Sequence, residues 1–283
     1  MRDSFCGWYF KCQSNNQTLA FIPALHASGG TVHCSLQVIC PDGSWTIPFP
    51  HNAFQKEKGR FAWKIGDCRF GREGITLHLN SEGCHATGEV RFGPFEPVSY
   101  DVMGPLGKLP LLECRHTVVS MRHRVDGQII INGKVYRFEN ALGYIEGDRG
   151  SSFPKEYAWT HCFFEDGSLM LSVADVPLGP VHFTGTIAIV HWHGQEYRLA
   201  SYLGARVLKK QNGELLIRQG TALLCAKMMD KHALPLAAPI KGQMERTIRE
   251  NVSCRSYYHF QKNRKTLFCF LSPDASFEFE YPI

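Results

Sequence analysis

No stretch of this chain approaches the roughly 18 apolar residues of a membrane-spanning helix, and the opening MRDSFCGWYFKCQ has no apolar run followed by a small-residue cleavage site. The expectation is a soluble, cytoplasmic protein with at most transient membrane-surface contact. No CxxC occurs among eleven cysteines, and an odd count argues against a closed disulfide framework. Several cysteines sit in strand-like runs such as SLQVIC and TLFCFL, so reduced and mostly buried thiols are expected. No GxSxG is present, which excludes a hydrolase of the nucleophile-elbow type. Charge of one sign is also lacking: 31 basic residues face 26 acidic ones, and KNRK at 262–265 is the one notable basic cluster. That excludes a nucleic-acid partner and leaves a charged hairpin tip as the reading of KNRK.

Hydrophobic residues make up 44% of the 283 residues, enough for a sizeable core. Helical periodicity is scarce; only 222–234 and 241–251 could hold a turn or two, and both also read as strand. Hairpin signals dominate instead. Asp-Gly or Asn-Gly occurs at 42/43, 126/127, 132/133, 166/167 and 212/213, each between β-branched or aromatic runs. Alternation marks strands in GITLHL, FTGTIAIV and the closing FEFEY, where Phe277, Phe279 and Tyr281 share a face. The fold class is therefore all-β and antiparallel, a sandwich or barrel. The length suits two lipocalin-like barrel halves, 1–140 and 141–283, although no internal repeat is visible. HWH at 191–193 puts His191 and His193 on one strand face but lacks an obvious third ligand, so it reads as a strand end beside a turn rather than a metal site.

Two segments gather charge. In 111–125, read as one strand, Glu113, Arg115, Thr117, Val119, Met121 and His123 face one way, and Cys114, His116, Val118, Ser120, Arg122 and Arg124 the other. Neither face is purely apolar, so one carries charge toward an interior or a cavity mouth, or Glu113 and Arg115 form a structural ion pair. In GYIEGDRGSSFP, 143–154, Tyr144, Glu146 and Asp148 share a face, with the carboxylates about 7 Å apart. Such neighbours on a partly buried face disfavour joint ionisation and titrate as a pair. The plain structural alternative has Arg149 neutralising Glu146 or Asp148.

The motifs YDVMGP, PLLECRHTVVSMRH, GYIEGDRGSSFPKEYAWTHC, FTG and YRLASYLGA, in that order between Tyr100 and Ala205, resemble the tocopherol cyclase-like family. The likeness extends more loosely to YFKCQ and LAFIPALH before them, and to APIKGQMERTI and FEFE after them. It implies a lipocalin-like fold, which would make the chain one continuous domain or two halves. For the plant enzymes it implies closure of a prenylated hydroquinone to a chromanol. Arg149 stands where those enzymes carry tryptophan, and His161 where glutamine is usual, so the substrate differs in expectation. The pattern resembles the compact bacterial-type branch.

Chromanol closure protonates a trisubstituted alkene and needs a dry acid with aromatic faces to steady the cation. Glu146, Asp148 and Glu113 are the candidate acids. Tyr144, Arg149, Trp159, His161, Arg115, His116, His123 and Phe153 are the candidate contacts for a small hydrophobic or prenylated aromatic ligand. The reading calls for no metal and no cofactor. A lipocalin-type carrier of an isoprenoid, or a hydratase that replaces the phenol by water, fits the same residues.

Overall fold

The computed structural model describes residues 3–15, 17–108, 112–178, 181–230 and 233–282. About three quarters of them are strand. A first antiparallel sheet contains β1 (Ser4–Ser14), β2 (Gln17–Ser28), β3 (Thr31–Cys40), β4 (Gly43–Phe49), β5 (Phe54–Lys56), β6 (Ala62–Ile65), β7 (Cys68–Gly71), β8 (Gly74–Ser81), β9 (Cys84–Phe92), β10 (Cys114–Ile131) and β11 (Lys134–Gly150). Its order is β4-β3-β2-β1-β11-β10-β9-β8-β7-β6-β5. The second contains β12 (Tyr157–Phe164), β13 (Gly167–Leu178), β14 (Val181–Trp192), β15 (Gln195–Ala200), β16 (Arg206–Gln211), β17 (Glu214–Gln219), β18 (Ala222–Met228), β19 (Leu234–Ile240), β20 (Gln243–Lys262) and β21 (Lys265–Phe279). Its order is β15-β14-β13-β12-β21-β20-β18-β17-β16, with β19 paired to β20.

Two compact units result: Met1–Pro97 with His116–Ser152 and Leu236–Arg246, and Val98–Arg115 with Phe153–Pro235 and Thr247–Ile283. In the first, one hydrophobic cluster draws side chains from strands all along the sheet, including Phe10, Phe21, Leu36, Ile65, Phe70, Leu77 and Ile145. A flat sheet could not gather them. The sheet is rolled, so that β3 meets β6 although they lie near opposite ends of the strand order, and Phe10 of β1 comes within 5.7 Å of Trp63 of β6. The hairpin 236–246 is fastened to this unit: Gln37 exchanges hydrogen bonds with Ala237 at 3.0 and 2.9 Å, and Gly242 N donates to Ser151 O at 2.8 Å.

The second unit repeats the principle. Tyr197 of β15 packs on Phe260 of β20 at 5.5 Å, and Leu171, Val190, Ile217, Leu224 and Phe277 share one core. Phe277 and Tyr281 belong to that core and Phe279 packs against it, the shared face read from FEFEY. The lipocalin-like expectation takes this form: each unit is one antiparallel sheet rolled about its own core. Among the described residues, neither sheet's two end strands pair with each other. Beside the gap in the second sheet lies an open groove of about 750 Å³ lined by Phe183, Ser201, Arg206 and Leu208.

Local chemistry places most turns as expected. Asn132-Gly133 and Asn212-Gly213 have positive φ at both residues, as a tight hairpin requires. The tip of KNRK is the turn between β20 and β21, with Asn263 and Arg264 at positive φ. Asp126-Gly127 makes no turn, because β10 runs straight through it. A side chain at Gly127 would lie 2.2 Å from Glu89 O, and one at Gly88 2.3 Å from Gln128 O. Here the glycines permit close approach of β9 and β10. Neither segment that could have been helical holds a helix in its described part: 222–228, 234 and 243–251 are strand and 241–242 a turn, while 231–232 lie outside the described residues.

In the second unit the loop carrying YDVMGP is held by the strand carrying YRLASYLGA. The Arg198 guanidinium lies 3.5 Å from the centre of the Tyr100 ring and donates to Tyr100 O and Asp101 O at 2.9 and 3.0 Å. Tyr202 Oη donates to Val102 O at 3.1 Å, and its ring occupies the space where Gly104 would otherwise carry a Cβ. Glu196 accepts from Ser99 N and Oγ, both at 2.7 Å. Burial alone would raise the Glu196 pKa, but these bonds together with those from Arg198 and His191 hold it at about 2. His191 is thus taken by Glu196 at 3.2 Å, and His193 sits in the following turn near Asp166.

Candidate active site

In the first unit, β10 and β11 are neighbours, and alternation along β11 sends Ile145 into the core and Tyr144, Glu146 and Asp148 to the opposite face. That face is not wet. Tyr144 is fully buried, and the side chains of Glu146, His116 and Asp148 keep 7%, 11% and 23% of their exposure. His116 of β10 bridges the two carboxylates, with Nδ1 3.0 Å from Asp148 Oδ1 and Nε2 3.2 Å from Glu146 Oε2. The second contact is an ion pair rather than an aligned hydrogen bond. Tyr144 Oη donates to the same Glu146 oxygen at 2.5 Å.

Burial alone would lower the His116 pKa, yet the two carboxylates outweigh it and hold the value well above 6.5, so the ring is an imidazolium at neutral pH. Burial, together with the Glu146 charge, raises the Tyr144 phenol well above 10 and keeps it a donor. The result is a dry row of Tyr144, Glu146, His116 and Asp148. Their nitrogen and carboxylate oxygens lie within 4.8 Å of one another, a donor set that could bind a divalent cation. Because His116 spends one ring nitrogen on each carboxylate, a cation would first have to displace one of those contacts.

The strand on the other side supplies groups that sequence reading missed. Tyr9 stands directly across from Glu146 and Lys11 across from Tyr144, and both are buried. The only signal was a lysine within the apolar run GWYFKC. Arg149 points away from the carboxylates and is exposed, whereas His116 meets both of them. His123 faces the interior of the rolled sheet, between Phe92 and Phe95.

The remaining candidates belong to the second unit. Glu113 is exposed ahead of β10, and Arg115 is half-buried. Trp159 and His161 are buried on one face of β12 and stack at 6.5 Å, and Phe153 meets Tyr157 edge-on at 6.0 Å. That face also carries a pair the sequence did not announce: Tyr157 Oη donates to Glu278 Oε2 at 2.5 Å, with Glu278 directly across from both Trp159 and buried Glu250.

Residues 85–204 match the family described as tocopherol cyclase-like. No curated protein matches the chain by sequence. Among solved structures, the chain is similar over its full length to 93% of a protein assigned as AttH from Nitrosomonas europaea, with TM-score 0.56 and 12% identity. It is similar over 98% of its length to 89% of kievitone hydratase from Nectria haematococca, with TM-score 0.55 and 8% identity. The same share aligns with 88% of CghA in complex with Sch210972, with TM-score 0.60 and 9% identity. At these identities the likeness is one of fold.

Proposed function

We propose that this tocopherol cyclase-like chain is an enzyme that protonates the alkene of a prenylated aromatic and closes a chromanol-type ring. The observation that carries the reading is the Glu146 carboxyl set between the His116 imidazolium and the Tyr144 hydroxyl. Glu146, in its protonated form, transfers its proton to the less substituted alkene carbon, which leaves positive charge on the more substituted one. The carboxylate left behind is stabilised by the cation at 3.2 Å and by the hydroxyl at 2.5 Å, donors already in place before the proton moves. Asp148 keeps His116 charged throughout. The phenol oxygen then attacks the cation, and the phenol proton returns to Glu146. The sum is an isomerisation that consumes nothing. Tyr9, across the strand from Glu146, offers an aromatic face to the developing cation.

The test is to incubate the protein with a prenylated hydroquinone in deuterated water and weigh the product. Cyclisation gives a product carrying one carbon-bound deuterium at otherwise unchanged mass, hydration adds one water, and a carrier returns the ligand unaltered. Either of the last two results overturns the cyclase reading, and the last removes catalysis altogether.

A further inference from the structure

His123 lies on the opposite face of the same β10–β11 pair, and nothing in the proposed chemistry uses it. It is 2% exposed, and its ring sits 4.6 Å from Phe92 and 4.8 Å from Phe95. Its Nδ1 is 3.0 Å from Ser120 Oγ, and that hydroxyl gives its single proton to Arg122 O at 2.9 Å. Ser120 can therefore only accept, so Nδ1 carries the hydrogen and Nε2 is left as a bare lone pair. Among the described residues nothing donates to it. Burial pushes the imidazole pKa down to about 3, so no proton from solvent fills the vacancy at neutral pH.

Buried acceptors are rarely left in this state, because the lost hydrogen bond to water is not recovered. The surroundings say what would recover it. Half-buried Phe92 and Phe95 flank His123; Phe95 meets half-buried Phe61 at 6.4 Å, and Phe61 meets Trp63 at 4.8 Å. Trp63 in turn lies against half-buried Trp8, with ring centres 4.1 Å apart and planes tilted by 35°. The aromatic lining is thus partly reached by solvent and holds one inward acceptor. Gly143 is the residue that makes room, since a Cβ there would fall 2.2 Å from Nε2.

We propose that the interior of the first rolled sheet is a second binding site, which takes an apolar aromatic molecule bearing one hydroxyl donor and receives that hydroxyl at His123 Nε2. The aromatic walls supply affinity and the single acceptor supplies selection, because a ligand without a donor leaves the nitrogen as orphaned as before.

Calorimetric titration of the full chain with 4-propylphenol and with 4-propylanisole, which has the same ring and no donor, tests this. The phenol should bind roughly 3- to 10-fold more tightly, the worth of one buried neutral hydrogen bond. His123→Phe, which keeps the aromatic volume, and Gly143→Ala, which displaces the imidazole, should each erase the preference. Glu146→Gln should keep it. Because both variants alter the core, the wild type labelled with ¹⁵N-histidine gives a reading independent of their folding: the Nε2 resonance should move upfield with the phenol and stay with the anisole. Equal affinities, an unmoved Nε2 resonance, or loss of the preference in Glu146→Gln would each overturn the proposal.

Discussion

Replacing Glu146 by glutamine separates chemistry from architecture, because the amide keeps the shape and an acceptor for Tyr144 while it removes the transferable proton. Turnover should fall by roughly the 10²–10⁴-fold that a positioned acid contributes. The stability cost should be moderate. His116 loses one of its two counter-charges but retains Asp148 at 3.0 Å, so the loss is that of one charge-assisted contact, about 1.5–3 kcal/mol. For a protein of this size that lowers the melting temperature by roughly 3–12 °C. His116→Gln should cost more, about 3–5 kcal/mol, since it removes the cation that bridges one buried and one partly buried carboxylate. The double variant should lose less than the sum, because the contact between the two residues is counted twice in the singles. The sign with pH follows from the raised His116 value. Its stabilisation is complete below 6.5 and drains as pH climbs through the higher folded value, so the His116→Gln deficit should shrink on the alkaline side. Melting, circular dichroism and single-turnover mass spectrometry on the wild type and these three variants supply the numbers. Full turnover in folded Glu146→Gln, or strictly additive stability losses, would refute the assignment.

The other expectations concern the rest of the molecule. His123 is held neutral, with its pKa lowered from 6.5 to about 3, so its contribution to stability is whole above 6.5. As pH falls from 6.5 to 3 that contribution drains at up to ~1.4 kcal/mol per unit, a slope that urea titrations should find flattened in His123→Phe. Glu196→Gln should loosen the loop around Tyr100–Gly104, which limited proteolysis will report as faster cleavage between 98 and 108; unchanged cleavage would remove Glu196 as its anchor. Thiol titration of unreduced protein should show Cys269, the exposed one, reacting first in the native state, and nearly all eleven cysteines after denaturation. Recovery of only a few would indicate disulfides.

What could be read from the sequence was what is local. Period-two alternation aligned Tyr144, Glu146 and Asp148, and Asn-Gly pairs marked hairpins at 132/133 and 212/213. The same dipeptide logic misled at Asp126-Gly127, where a glycine serves two adjacent backbones instead of a reversal of the chain. The partner of the carboxylates was also out of reach. Arg149 is next to them in sequence but alternation turns it away, whereas His116, thirty residues earlier, arrives through the pairing of β10 with β11. Lys11, Tyr9 and the Glu250–Glu278 row are long-range in the same sense, and their burial contradicts the usual expectation that the second face of a strand meets water.

Because β10 and β11 form a wall one residue thick, with a charged row on one side and an aromatic interior on the other, its chemistry depends on parity. A single inserted or deleted residue near the middle of β11 would turn Ile145 and Arg149 toward His116 and send both carboxylates among Phe10, Phe92 and Trp63. Two inserted residues would restore the faces and merely shift the row along the strand. Length variation in this hairpin should therefore be tolerated in steps of two, if at all, whereas at the turn Asn132-Gly133 it should be limited only by the geometry of the reversal.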